Sequence, residues 1–133
     1  MADAVTSQTI QDGERRAVLK FTNISDGTGE SAVVKIDVSA LAANSRGEAC
    51  TEVAIHQIWW QCVGMGVEIL FDATANVPAI ILSENSNGHH DYSSFTAIPN
   101  NAGTGKTGDV LFSTLGATAG DAYTVILDVI KSY

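Results

Sequence analysis

Basic residues are scarce in this sequence. Its 133 residues include 7 lysines and arginines against 15 aspartates and glutamates, which gives a formal net charge of −8 at pH 7. An acidic surface repels the phosphates of nucleic acids, whose binding depends on lysine and arginine. We therefore expect no nucleic-acid partner, and the net charge favours solubility at high concentration.

Long apolar runs are also missing. The longest, Val77–Leu82, contains a proline and is far shorter than the roughly 20 residues that span a bilayer. Residues 1–16 contain neither the basic segment nor the apolar segment of a secretory signal. We therefore expect that the protein has no membrane partner and that it is assembled in a cytoplasm.

Cysteine is limited to Cys50 and Cys62. Cys62 lies on an apolar segment that begins at Thr51, and Cys50 immediately precedes this segment. Two residues on one extended strand and its lead-in are too far apart to form a disulfide. We expect two free thiols and a reducing compartment.

Proline occurs twice, and no apolar segment keeps the 3.6-residue period of an amphipathic helix. The chain instead has valine, isoleucine and threonine in runs that alternate apolar with polar residues, separated by glycine-containing turns. The densest stretch, 51–82, contains both tryptophans and Met65. We predict that residues 51–61 and 65–71 form a long antiparallel hairpin around a turn at 63–66.

Other alternating runs predict further strands, at 15–24, 32–38, 78–82, 92–98, 109–115 and 123–131. We expect the first two of these to pair with each other, and also the last two, because only a short turn separates the members of each pair. Residues 83–91 and 99–108 are predicted loops. Residues 39–49 hold at most one or two helical turns, with Ser39 as the N-cap.

Residues 2–12 are small and polar, apart from Val5 and Ile10, and the segment 1–12 forms either an edge strand or an N-terminal arm that reaches a neighbour. About eight strands, with no helix long enough for a parallel crossover, predict an all-β fold. The prediction is a single antiparallel β-sandwich domain over residues 1–133, jelly-roll-like or otherwise Greek-key.

The segment 103–107, Gly-Thr-Gly-Lys-Thr, is similar to the end of a phosphate-binding loop. That motif also requires a glycine where this chain has Asn100, and a helix where a strand-like run follows. We expect no nucleotide at this loop and no cofactor elsewhere.

His89, His90 and Asp91 are the densest cluster of potential metal ligands. Adjacent residues of an extended segment point to opposite sides, so the two imidazoles do not converge on one ion. No glycine-flanked nucleophile elbow surrounds a serine, and the apolar strand around Cys62 raises a thiol pKa rather than lowering it. We predict no metal site, no catalytic residue and no enzymatic activity.

Trp59 and Trp60 lie where the alternation breaks and both faces become apolar. Neighbouring strand residues point to opposite faces, so at most one ring belongs to the core while the other lies at the surface. The surface ring is either part of a subunit contact or a stacking platform for a sugar. Together with Val5 and Ile10, the two tryptophans are the candidate interface residues.

Four segments resemble small virion structural proteins of tailed bacteriophages, especially those of aquatic hosts: MADAVTSQTIQDGER, FTNISDGTGE, KIDVSAL and NNAGTGKTGDVLFSTLGATAGDAYTVIL. The resemblance covers nearly the whole chain. It implies a multi-copy component of the particle with no enzymatic role. Among such components, capsid decoration (cement) proteins are typically small, β-rich chains that sit on the shell, often as trimers.

The resemblance implies two partners, the major capsid protein and further copies of this chain. The implied location is the virion, after assembly in the host cytoplasm. A tail or head–tail connector component is the neighbouring alternative within the virion. A carbohydrate-binding module for host attachment, using a surface tryptophan and the 83–91 loop, is the competing hypothesis.

Overall fold

The computed structural model describes residues 3–133, which form nine strands and two short 3-10 helices. The strands are β1 (Ala4–Asp12), β2 (Arg16–Asp26), β3 (Val33–Ile36), β4 (Glu52–Val63), β5 (Gly66–Phe71), β6 (Val77–Leu82), β7 (Asn87–Asp91), β8 (Val110–Leu115) and β9 (Ala119–Ser132). Sheet A has the order β1-β2-β9-β4-β7, and sheet B has the order β3-β8-β5-β6. All neighbours are antiparallel, which confirms the predicted all-β sandwich.

The strand pairs are nested along the chain. β5 pairs with β6, β4 with β7, β3 with β8 and β2 with β9, and successive pairs alternate between sheet B and sheet A. This is the arrangement of a jelly roll, in which one long antiparallel ribbon wraps across two facing sheets. β1 lies outside the nested set and adds a fifth strand at the edge of sheet A.

The core lies between the two sheets and consists of alternate strand residues. Phe112 of β8 packs edge to face against Phe21 of β2, with ring centroids 5.2 Å apart, and against Tyr123 of β9 at 5.8 Å. The predicted inward faces of β5 and β9 are confirmed, since their alternating apolar residues are buried. They are Val67, Ile69, Phe71, Tyr123, Val125, Leu127 and Val129.

The predicted central hairpin is wrong. β4 belongs to sheet A and β5 to sheet B, so the turn at Gly64 carries the chain from one sheet to the other. The predicted pairing of β2 with β3 and that of β8 with β9 fail in the same way. Period-two alternation identifies a strand but not its partner, because a short turn serves equally between sheet neighbours and between facing sheets.

The segment 83–98 also differs from the prediction. Residues Asn87–Asp91, predicted as loop, form edge strand β7, whereas 92–98 contains only a 3-10 turn, Ser93–Phe95, and an isolated bridge from Ile98 to Ile55. Every residue of β7 is exposed, so the sequence carries no alternation there. The strand forms because its backbone pairs with the N–H and C=O groups at the edge of β4.

Two smaller details differ as well. The helical turn at Val38–Ala40 is capped by the side chain of Asp37, not by Ser39. The register of β3 on β8 shifts between Val34 and Ile36, and this leaves Val34 exposed where strict alternation would bury it.

Candidate interaction surfaces

β1 is the most exposed of the long strands. Eight of its nine residues are exposed, including the predicted interface residues Val5 and Ile10, at 46% and 52%. Among residues 3–133 its backbone pairs with β2 and with no other strand, and its register shifts between Thr9 and Gln11. The edge-strand alternative for this segment is therefore correct, while Met1 and Ala2 lie outside the described residues.

Asp3 fastens the start of β1 to the turn after β2. Its Oδ1 accepts hydrogen bonds from the Ser25 hydroxyl at 3.0 Å and from the N–H groups of Asp26 and Gly29 at 3.2 and 3.1 Å. Its Oδ2 accepts from Asn23 Nδ2 at 3.0 Å. Burial alone would raise the pKa of this carboxyl, but these bonds to the charged form hold the pKa below its usual value.

Asp12 fastens the other end of β1 to Lys131 of β9. The Lys131 side chain is fully buried, and its ammonium forms an ion pair with Asp12 and donates to the carbonyls of Gly13 and Ala42 at 2.6 and 3.1 Å. Asp12 Oδ2 also accepts from the Ala42 N–H at 2.8 Å. Three acceptors match the three protons of the ammonium, so Lys131 depends on Asp12 for its counter-charge.

β1 also overhangs sheet B, because sheet A has one strand more. Two adjoining grooves, of about 180 and 220 Å³, lie between β1 and β3, and Ser7 and Lys35 line both. Val33 and Val34 of β3 are 39% and 48% exposed beside the second groove. Sequence reasoning missed these two valines because alternation placed Val34 inside.

The grooves between β1 and β3 are small compared with ligand sites, which enclose about 300–1,000 Å³. The charge of Lys35 is already compensated, since its Nζ lies 2.5 Å from Glu30 Oε2 and both side chains are under 8% exposed. Glu30 also accepts from Tyr123 Oη at 2.5 Å and from Asn23 Nδ2 at 2.9 Å. The geometry therefore suits a shallow protein contact better than an enclosed substrate.

Trp59 and Trp60 point to opposite faces of sheet A. Trp60 packs against the core and donates from Nε1 to Ser86 Oγ at 3.1 Å, with the His90 ring 5.0 Å away. Trp59 lies on the outer face, where the His89 ring stacks on it at 4.6 Å and 9° between planes. Each tryptophan is thus packed against a histidine of β7. The sequence does not predict these contacts, because no alternation marks β7 as a strand.

A polar cluster lies beside Trp59 on the outer face of sheet A. Asp128 is only 1% exposed there, and its carboxylate accepts from Arg16, which approaches through both Nε, at 3.1 Å, and Nη2. Gln57 Nε2 donates to the same carboxylate at 3.2 Å, and Gln57 Oε1 accepts from His89 Nε2 at 2.9 Å. The hydrogen bond to Asp128 is the main cause that raises the pKa of Arg16.

His56 joins this cluster because β4 contains a bulge at that position. Its Nδ1 lies 3.6 Å from Asp128 Oδ2 and has no hydrogen-bond partner. Within residues 3–133, no group of three or more histidine, cysteine or acidic side chains is arranged to hold a metal ion. Apart from His56 Nδ1, the polar side chains of the cluster are hydrogen bonded to one another.

The four candidate interface residues do not form one surface. Val5 and Ile10 lie on β1, while Trp59 and Trp60 lie on β4, with β2 and β9 between them. Three strand spacings of about 4.8 Å separate the two strands, a distance of about 14 Å. We call the surface formed by β1 and the exposed valines Val33 and Val34 of β3 the β1–β3 edge.

Both cysteines are buried free thiols, as expected. The 103–107 segment leads into β8 rather than a helix, and its Lys106 Nζ lies 2.9 Å from Glu52 Oε1.

No helix of the described residues is long and apolar enough to cross a membrane. Comparisons with known protein families and with curated proteins find no match to this chain.

Proposed function

We propose that this protein is an accessory structural protein of a phage virion, which binds the major capsid protein and stabilises the shell as a homo-oligomer. The observation that carries the proposal is β1, an exposed strand added to a jelly roll whose nested pairing is complete without it. A strand that contributes little to its own core is available for contact with another chain. The resemblance to phage virion proteins supplies the class of partner.

The β1–β3 edge has the features that a shell contact needs. It presents the exposed valines Val5, Val33 and Val34 around shallow grooves. Protein contacts are built from such apolar patches surrounded by polar groups, whereas substrate sites are enclosed clefts. The same surface is compatible with a tail or head–tail connector position, which differs only in the protein bound.

The carbohydrate-binding alternative has weaker support. A sugar stacks on an open aromatic face, but His89 covers one face of Trp59 and Trp60 packs against the core. The neighbouring Gln57 already donates to Asp128, and Asp128 also accepts from Arg16. A sugar platform would require His89 to move away from the indole.

The test is addition of the purified chain to preformed shells that lack it. We expect it to co-sediment with the shells and to raise their disruption temperature, because a protein that binds only the assembled state stabilises that state. Val33→Asp should weaken binding at least about tenfold, since it places an unpaired charge in an apolar contact. Phe95→Asp is the matched control, because Phe95 is 58% exposed on a different part of the surface, and it should bind like the parent.

Three results would contradict the proposal. Binding to purified tails but not to shells would place the chain elsewhere in the virion. Binding to a glycan array that Trp59→Ala abolishes, with no effect on shells, would support the carbohydrate-binding alternative. Equal loss of shell binding in both aspartate variants would exclude the β1–β3 edge as the contact.

A further inference from the structure

Each sheet has two edge strands in the described residues, and three of these four edges are protected against pairing with another chain. β3 has only four residues, β6 contains Pro78, and β7 consists of Asn87, a glycine, two histidines and an aspartate. Short length, proline and polar or charged side chains are the usual protections of sheet edges. β1 has nine residues, no proline, and no charge before Asp12.

The protection of β1 is limited to its final third, where the register shift lies between Thr9 and Gln11. Residues Ala4 to Thr9 pair regularly with β2 and leave the opposite side of the strand unpaired among the described residues. Their backbone N–H and C=O groups on that side are available for a second ladder. An uninterrupted free edge of this length is able to template another strand.

We infer that the free edge of β1 pairs with β1 of a second copy of this chain, antiparallel and about a twofold axis. The inference names the contact between copies within the proposed homo-oligomer. The location of this contact on a shell rests on the proposed function. The test of the contact itself uses the isolated protein. A twofold contact gives dimers, in place of the trimers that the resemblance implies.

Charge favours a second copy as the occupant of this edge. Two chains of net charge −8 repel each other, so a contact between copies requires a surface where acidic groups do not meet. Residues 4–11 carry no charge, and the acidic groups that flank them are already bound: Asp3 in the turn after β2 and Asp12 by Lys131. The β1 edge is therefore a place where two copies can approach without acidic side chains opposing each other.

The alternation of faces specifies the register. Val5, Ser7 and Thr9 lie opposite buried residues of β2 and point to the inner side of sheet A, while Thr6 and Gln8 point to the outer side. Opposed residues in an antiparallel pair share a face, so a twofold axis at Ser7 sets Val5 against Thr9 and Thr6 against Gln8 of the second copy. In this register Asp3 faces Gln11, and no charge faces a charge.

The test changes charge on the outer side only, where the substitutions leave the inner face intact. In Thr6→Glu/Gln8→Glu, glutamates oppose each other twice across the twofold axis, while the new residue at position 8 faces Lys20 within its own sheet. In Thr6→Lys/Gln8→Glu, each opposed pair has opposite charges. Ser83→Glu/Asn87→Glu adds the same charge as the first variant at two exposed positions, one before β7 and one at its first residue, and serves as the control.

Sedimentation velocity over a range of protein concentrations measures association. We expect the parent and the Ser83→Glu/Asn87→Glu control to form dimers, and Thr6→Glu/Gln8→Glu to raise the dimer dissociation constant about tenfold or more. Thr6→Lys/Gln8→Glu should restore the affinity of the parent. Circular dichroism of each variant confirms that the fold is retained.

A parent that stays monomeric at millimolar concentration overturns the inference, as does a parent trimer. Association that Thr6→Glu/Gln8→Glu leaves unchanged, or that Thr6→Lys/Gln8→Glu fails to restore, also overturns it. Failure of shell binding with dimerisation intact would instead refute the proposed function and leave the β1 contact in place. The two proposals are therefore separable by experiment.

Discussion

Phe71 represents the apolar residues that hold the two sheets together. It lies on β5, a central strand of sheet B, and is fully buried. Phe95 has the same side chain but is 58% exposed. The contrast allows the contribution of burial to be measured with a single chemical change.

We expect Phe71→Ala to lower the free energy of unfolding by about 3–5 kcal/mol, the usual cost of truncating a buried phenylalanine. Phe95→Ala should change it by less than about 1 kcal/mol, because little surface returns to water. Urea unfolding followed by circular dichroism measures both values. Equal effects of the two substitutions would show that the inward face of β5 is assigned wrongly.

Cys62 is a buried titratable group without a charged partner. Burial raises the pKa of its thiol from an ordinary value of 9.0 to about 11. Between these two pH values the unfolded chain releases a proton that the folded chain retains. The stability contributed by the neutral thiol is therefore fully present below pH 9 and is lost as the pH rises towards 11.

We expect the parent to lose about 1 kcal/mol more stability between pH 8 and pH 10 than Cys62→Ala does. Urea unfolding at the two pH values gives this difference, and the constant cost of the truncation cancels from it. Burial also raises the pKa of Cys50, so some pH dependence should persist in the variant. Identical pH dependence in both proteins would mean that the Cys62 thiol is accessible to water in the folded state.

At the scale of elements, β1 and β7 are the two edge strands of sheet A. Both have exposed side chains, and both are held mainly by backbone pairing and by contacts of a few polar or aromatic groups. β7 belongs to the nested jelly-roll pairs and covers Trp60 with Gly88 and His90. β1 belongs to no such pair, and this makes it separable from the rest of the fold.

Deleting residues 2–10 should leave a cooperatively unfolding sandwich, because the deleted part of β1 buries no side chain and Asp12 still pairs with Lys131. Deleting residues 2–12 should cost about 3–5 kcal/mol more, since the buried ammonium then loses its counter-charge. Thermal unfolding of the two truncated proteins tests this difference. Lys131→Met in the longer deletion should recover part of the loss, and failure to do so would mean that the ammonium is not the cause.

At the scale of the whole molecule, the jelly roll brings the two ends of the chain together. β2, near the start, pairs with β9, at the end, and β9 lies at the centre of sheet A between β2 and β4. Strands from the whole length of the chain therefore meet in one core. The overhang of β1 beyond β3 is also a property of the complete fold, because it depends on one sheet having five strands and the other four.

The sequence by itself determined most strand positions and the inward faces of β2, β5 and β9. Alternation at Val67, Ile69 and Phe71, or at Val125 and Leu127, reports burial of one face, and this is a local property of each strand. The free thiols were predictable for a similar reason, since Cys50 and Cys62 lie along one extended segment. The candidates Val5 and Trp59 were also visible as apolar residues in unusual positions.

Tertiary structure alone decided which strands pair and what surrounds each candidate. The Gly64 turn joins β4 to β5 across the two sheets, and no local signal distinguishes it from a hairpin turn. The stacking of His89 on Trp59 required an edge strand with no buried residue, and the Lys131–Asp12 pair joins residues 119 positions apart. The physical reason is that the backbone hydrogen bonds between strands are the same whatever the side chains are, so a local pattern identifies a strand without identifying its partner. The partner is selected by the packing of distant segments in the complete fold.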